Sequence, residues 1–345
     1  MVSPHDELPW LAAPLADAVA NQRSHAVLVH GAAGNGALPF MLALAQAWLC
    51  EASSGTERRP CGHCGSCRLV SSRLHPDLYV LLPETLRHSE GWPLIGDKAE
   101  EHDSESGKAR RKPSRQLRID EVRGAIEWVQ RTSAGGRGKV VVLHPADALN
   151  HPAASALLKT LEEPPAGTRI LLSAADPEHL LATVRSRCQR VRLPLPAPEL
   201  ALGWLARHGV LEPEVLLAAA DGMPLAARAL AEAGITAAVW RGLPAAVARG
   251  QGAVTAGWPV PMVVDALHKL CHDAMVLAVG GNPRYFPTSS VPAGASIEAL
   301  SSWLRELSRV ARHDEHPWNE GLLQDALMAQ GRRALTRSTR VSAAS

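Results

Sequence analysis

The sequence has no uninterrupted apolar run of the roughly 20 residues that a membrane-spanning helix needs, so no membrane role is expected. Its opening residues, Met1-Val2-Ser3-Pro4-His5-Asp6-Glu7, lack the basic and apolar regions of a signal peptide. Cytoplasmic residence is therefore the expectation. An excess of either charge is also missing, because 36 basic residues face 34 acidic ones for a net charge of +2. A dedicated nucleic-acid-binding protein usually carries a basic surplus on some segment, so that class is disfavoured. Cysteine is scarce, with six in the chain, and four of the six fall at positions 50, 61, 64 and 67. In a reducing compartment such clustering reads as a metal site rather than a disulfide framework. Apolar content is not lacking. At 46% of 345 residues it can build sizeable cores, and the length allows two or three domains.

The most informative stretch runs from Lys139 to Cys188. An apolar strand, Val140-Val141-Val142-Leu143, is followed by His144-Pro145-Ala146-Asp147 and a helical pattern over Ala153–Glu163 that Pro164-Pro165 stops. A second apolar strand, Arg169-Ile170-Leu171-Leu172-Ser173, precedes Ser186-Arg187-Cys188. Near-continuous apolar strands alternating with helices predict an α/β domain on a parallel sheet covered on both faces. On the helix, Leu157, Leu158 and Leu161 supply the apolar stripe, and Lys159, Glu162 and Glu163 read as its solvated face. Upstream, Asp120 is the expected cap of a helix through Glu121–Val129.

Nearer the N-terminus, Ala26-Val27-Leu28-Val29-His30 reads as a buried strand, followed by Gly31-Ala32-Ala33-Gly34-Asn35-Gly36 and a helix from Ala37. Strand, glycine-rich loop and helix form the setting of a phosphate-binding loop, and the spacing of Gly31 and Gly36 fits one. The next two positions do not. A working loop places Lys there to reach the phosphates, then Ser or Thr to hold Mg²⁺; here they are Ala37 and Leu38. The loop is then a tight packing turn, a weak phosphate site made of backbone N–H groups, or a hydrolytic site, and the missing charge and ligand speak against the last.

Cys50, Cys61, Cys64 and Cys67 have small residues between the last three ligands. Four thiolates favour tetrahedral Zn²⁺ with no open coordination position, which makes the site structural. Four free cysteines or an iron–sulfur cluster are the alternatives, and His63 could replace one thiol. Asp77–Leu82 reads as another strand, and then residues 83–116 break the pattern with an acidic run at 100–105 and a basic run at 108–112. A solvated, disordered insertion is expected there; a DNA or partner contact by its basic half is the sharper alternative.

After the linker Pro194-Leu195-Pro196-Ala197-Pro198 the strand signals fade. Short helices are predicted over residues 199–208, 213–220 and 224–233. Longer ones are predicted over 237–249, 260–280, 297–312 and 320–337. The tail from Arg332 is expected to fray.

Leu157-Leu158-Lys159-Thr160-Leu161-Glu162-Glu163-Pro164-Pro165 with Ser186-Arg187-Cys188 closely resembles the clamp-loader branch of the AAA+ ATPases. His144-Pro145-Ala146 is similar to a non-hydrolysing member of that branch in bacterial DNA polymerase III. The resemblance covers almost the whole chain. It is specific from Val140 to Cys188 and at the cysteines, and weaker after Ile235. It implies an AAA+ parallel-sheet domain with a four-cysteine zinc module over 1–194, a helical lid over 195–235 and a helical collar for oligomerisation over 236–345. Active relatives carry Asp-Glu where this chain has His144-Pro145, a polar sensor at the place of Ser173, and an Arg where Leu225 stands. With Gly31, Gly34, Gly36, Ala37 and Leu38 forming a degenerate loop, neither ATP nor Mg²⁺ is expected on this chain, and no intrinsic ATPase.

Arg187, framed by Ser186 and Cys188, is implied to act as an arginine finger on ATP held by the adjacent subunit. Such fingers are worth on the order of 10³–10⁵ in rate. The plain alternative is a surface ion pair. The implied partners are the motor subunits (tau or gamma) and the delta subunit in a pentameric ring, with the sliding clamp and primer-template DNA contacted indirectly. The chain would thus be a component of a DNA-directed DNA polymerase holoenzyme. Two other classes fit parts of the sequence: an active AAA+ ATPase with a divergent loop, and a zinc-stapled nucleic-acid-binding module.

Overall fold

Five strands form one sheet: β1 (Ala26–His30), β2 (Leu78–Leu81), β3 (Lys139–Leu143), β4 (Thr168–Ala174) and β5 (Gln189–Arg192). They lie in the order β2-β3-β4-β1-β5, and every neighbouring pair is parallel. The computed structural model describes residues 8–52, 59–92, 113–312 and 319–336. Its contacts divide the chain between Leu195 and Pro196 into two compact units.

In the first unit the sheet follows from composition. Leu28 pairs in register with Leu172, and Leu172 with Leu143, and all three are fully buried. Parallel neighbours need long crossovers, here supplied by the helices Ala37–Leu49, Ile119–Val129 and His151–Glu162. The helices bring Leu44, Val122, Leu157 and Leu161 into the buried interior. Even the cation at the start of β3 is accommodated. Lys139 is buried, but its Nζ donates to Trp128 O at 2.7 Å and lies 4.1 Å from the centre of the Trp128 ring.

Three local expectations are corrected. First, residues 83–116 are not a loop throughout, because Glu84–Glu90 is a helix. Its Arg87 is buried and donates through Nε to Leu82 O at 3.0 Å, while Glu84 accepts the Ser114 N–H at 2.8 Å. Seven residues are too few to show a helical period in a charged sequence. The acidic and basic runs lie outside the described residues. Second, the helix beginning at Ile119 is capped by Glu121, whose carboxylate accepts the Arg118 N–H at 2.9 Å; Asp120 sits inside the first turn. Third, the last helix runs from Glu320 to Leu335, so the start of the tail at Arg332 and Arg333 is helical; residues 337–345 lie outside the described residues.

The second unit is helical: Pro198–Arg207, Pro213–Ala219, Pro224–Glu232, Ala237–Arg249, Val260–Ala278, Ile297–Ala311 and Glu320–Leu335. Trp204 and Trp240 are among its largest fully buried side chains. Asp273 is fully buried as well, because its carboxylate accepts the N–H groups of Arg284, Tyr285 and Phe286 at 2.9, 2.7 and 2.8 Å. This ties the connection after the Val260–Ala278 helix to that helix. Trp240 clamps the same connection from the other side, stacking on Phe286 with centroids 4.8 Å apart and donating to Tyr285 O at 2.9 Å. Asp273→Ala would strand these donors and is expected to cost at least about 3 kcal/mol. Denaturant unfolding would measure the loss, and amide exchange at Arg284, Tyr285 and Phe286 should quicken with it.

Candidate functional site

β1 runs directly into the glycine loop, and the backbone there needs glycine. Gly34 and Gly36 hold φ of 83° and 98°, and Gly36 is the N-cap of the Ala37–Leu49 helix. Asn35, between them, is buried. Its amide donates to Pro194 O at 2.7 Å and to Leu193 O at 3.3 Å, and its own backbone carbonyl accepts the Trp10 indole N–H at 2.9 Å. The loop is therefore bonded to the segment after β5 and to the N-terminal turn. Leu38, where a Mg²⁺ ligand would stand, points into the core at 4% exposure. Neither Ala37 nor Leu38 offers a side-chain group that can touch phosphate or metal. Sequence reasoning passed over Trp10, since an isolated tryptophan ahead of a short helix carries no periodic signal.

Beside the loop, β3 and β4 end side by side. His144 continues the ladder, donating its N–H to Leu81 O at 3.0 Å. Its Nδ1 lies 2.6 Å from the hydroxyl oxygen of Ser173, which is buried. Burial pushes the His144 pKa down to about 4, so the ring is neutral at pH 7. His144 and Ser173 thus satisfy each other. A neutral imidazole supplies no carboxylate oxygen, the ligand type Mg²⁺ prefers, and Pro145 has no polar side-chain atom. Ser173, the residue at the end of the second predicted strand, has a defined partner in His144.

Arg187 sits across a turn from the end of the His151–Glu162 helix. That helix begins where Asn150 Oδ1 accepts the Ala153 N–H at 2.9 Å, and its last residue is Glu162. A short helix, Ala182–Arg185, leads into the Ser-Arg-Cys motif. Arg187 Nε donates to Glu162 Oε1 at 2.6 Å, and Nη2 meets the same oxygen. Nη1 donates to Thr183 O at 2.8 Å and to Ser186 Oγ at 3.2 Å. Glu162, read from the sequence as part of a solvated face, is instead an ion-pair partner, because the β4–β5 connection returns over the helix end. Cys188 is buried, and burial pushes its thiol up to about 11, so it serves as an apolar anchor and not a nucleophile. In the second unit, Leu225 lies in the first turn of the Pro224–Glu232 helix, and Arg228 donates to Glu232 at 2.7 Å.

The four clustered cysteines converge. Cys50 follows the Ala37–Leu49 helix, Cys64 caps the Gly65–Ser71 helix and Cys67 lies within it. Their sulfur atoms all lie within 4.8 Å of one another, with Cys50–Cys64 at 4.0 Å and Cys61–Cys67 at 3.9 Å. A tetrahedral Zn²⁺ with bonds near 2.3 Å requires sulfurs about 3.8 Å apart, so the residues fit such an ion. Backbone N–H groups of Cys61, Cys64 and Cys67 point at ligand sulfurs at 3.4–3.5 Å, as thiolates favour. A buried polar chain fixes the module to the core. The His75 ring nitrogen Nε2 lies 2.8 Å from Ser66 Oγ, Ser66 donates to Leu49 O at 2.7 Å, and Gln46 donates to Cys67 O at 2.9 Å. His63 does not join the group of sulfurs.

Residues 13–197 match the family described as DNA polymerase III, delta subunit. The delta-prime subunit of DNA polymerase III from Pseudomonas aeruginosa is 32% identical over 337 residues, 90% of this chain and 92% of that protein. The chain belongs to the DNA polymerase III delta-prime family. The delta-prime subunit of Escherichia coli is 32% identical over 283 residues, 76% of each chain. The tau subunit of Escherichia coli is 30% identical over 169 residues, which is 49% of this chain and 21% of that protein. The family match spans the glycine loop, the cysteines, His144 and Arg187. It bears out the resemblance to a bacterial DNA polymerase III subunit read from the sequence, and the five-stranded parallel sheet bears out the α/β class of the first unit.

The His144 environment has a consequence for stability. Its pKa is depressed in the fold, so the unfolded chain binds the proton more readily. Stability is complete above about pH 6.5 and falls as the pH drops toward 4, by about 3 kcal/mol from this group. His144→Asn is expected to flatten that part of the acid loss. Denaturation midpoints of wild type and variant compared between pH 7 and about pH 4.5 would show it.

Proposed function

We propose that this chain is a non-hydrolysing subunit of the DNA polymerase III clamp loader, which helps place the sliding clamp on primed DNA and lends Arg187 to a neighbouring subunit's ATP site. The observation that carries the reading is the closed corner where a catalytic centre would stand. His144 and Ser173 are bonded to each other at 2.6 Å, next to a loop whose ligand position is the buried Leu38. The Arg187 guanidinium, by contrast, stays at the surface with its side chain one-third exposed. Arginine there can meet a γ-phosphate through several N–H groups at once and stabilise charge in transit. Partners of matching chemistry are the motor subunits (tau or gamma), with the delta subunit completing a pentameric ring. Residues 195–235 would serve as a lid and 236–345 as the collar joining the ring. No helix among the described residues is long and apolar enough to cross a membrane, and the proposed place of action is the cytoplasm.

The metal proposed for Cys50, Cys61, Cys64 and Cys67 is Zn²⁺, which would crosslink a loop poor in apolar contacts. Elemental analysis is expected to give about one zinc per chain. Cys64→Ser should lose it, and chelation should lower the unfolding temperature.

The catalytic part is tested on the reconstituted ring. After assembly of both rings is verified, clamp- and primed-DNA-stimulated ATPase is compared for wild type and Arg187→Ala. Turnover is expected to fall by the share of ATP sites that Arg187 serves, with a loss at such a site on the order of 10³ or more. The isolated chain should show no turnover. Unchanged turnover in the variant ring would leave this chain a scaffold, and hydrolysis by the isolated chain would favour a divergent but active ATPase.

A further inference from the structure

All three guanidinium nitrogens of Arg187 are engaged by acceptors of the same chain: Nε and Nη2 by Glu162, and Nη1 by Thr183 O and Ser186 Oγ. The neutral acceptors and the carboxylate differ in kind. Thr183 and Ser186 orient one edge of the guanidinium and leave its charge intact. Glu162 covers the opposite edge and offsets the charge itself. Phosphate stabilisation needs that charge and a free edge of N–H groups.

Glu162 also stands where helix energetics alone would not put it. It is the last residue of the His151–Glu162 helix, at the end where unpaired carbonyls disfavour a carboxylate. Its side chain is half exposed, so it is not a core residue, and its contact with Arg187 bridges 25 positions in sequence. The contact joins the two motifs of this sheet domain that lie on either side of β4.

We propose that Glu162 is a positioning residue that parks Arg187 against its own subunit until the neighbouring ATP phosphates draw it away. The inference rests on the reading of Arg187 as a finger acting in trans. A triphosphate outcompetes one carboxylate because it brings more negative charge to the same guanidinium edge. An ion pair this exposed holds the finger only weakly, which suits a contact that has to break in each cycle.

The test uses the whole reconstituted ring and reads the Arg187-dependent part of its ATPase, the turnover of a ring minus that of the matching Arg187→Ala ring. Without clamp and primed DNA, Glu162→Gln is expected to raise that part about two- to fivefold, the range set by the strength of an exposed ion pair. Stimulation by clamp and DNA should shrink accordingly. Glu162→Gln added to Arg187→Ala should change nothing. An Arg187-dependent part that stays constant overturns the proposal. A fall in it also does so, since Glu162 would then support the working pose. An equal change in the Arg187→Ala background shows that Glu162 acts elsewhere and overturns it too. If Arg187→Ala alone leaves turnover untouched, the finger reading itself fails, a result distinct from the other three.

Discussion

β1, β3 and β4 are buried on both faces, and that burial decides where polar chemistry can stand in the first unit. The middles of these strands, residues 27–29, 140–143 and 170–172, are apolar throughout, and the buried polar residues Lys139, Thr168 and Ser173 stand toward the strand ends. The residues of interest gather beyond the strand ends: the glycine loop after β1, His144 after β3, and Ser173 near the end of β4. The parallel arrangement brings the three together at the C-terminal ends of the central strands. A site of this kind depends on register. A one-residue slip of β4 would turn Ser173 to the opposite face and break its bond to His144.

The legible parts of the sequence were those where one signal dominates. Apolar runs gave β1 to β4, and prolines and glycines bounded most helices to within a few residues. The cysteine spacing marked the four sulfurs that converge, because closely spaced cysteines with glycine between them let the backbone fold back on itself. β5 was missed. Gln189-Arg190-Val191-Arg192 holds one apolar residue, and its strand character comes from pairing with β1 at the sheet edge, where charged side chains remain in water. No local pattern encodes such a strand.

The candidate site divides along the same line. That Ala37, Leu38, His144 and Pro145 depart from phosphate and Mg²⁺ chemistry was visible residue by residue. Their new partners were not. The His144–Ser173 bond spans 29 positions and the Arg187–Glu162 pair 25, and a sequence read in windows treats each member alone. Glu162 looked like one more charge on a helix face because nothing nearby revealed that the chain would return over it. Trp10 and Asn35 were silent for the same reason, as their meaning lies in a hydrogen bond to a carbonyl.

The burial of Leu38 bears on how readily this loop could be converted into one that holds Mg²⁺. Lysine at position 37 would be a surface change, as Ala37 is only half-buried. Serine or threonine at position 38 would set a hydroxyl where a leucine side chain now packs, losing apolar burial and leaving a polar group to be satisfied, at a cost of about 2–4 kcal/mol. Restoring an acid at 144 would put a carboxylate against the buried Ser173. Either of these last two steps alone weakens the fold before any yields a working centre. The packing therefore opposes that conversion, because Leu38, which lacks phosphate and Mg²⁺ chemistry, is part of the core.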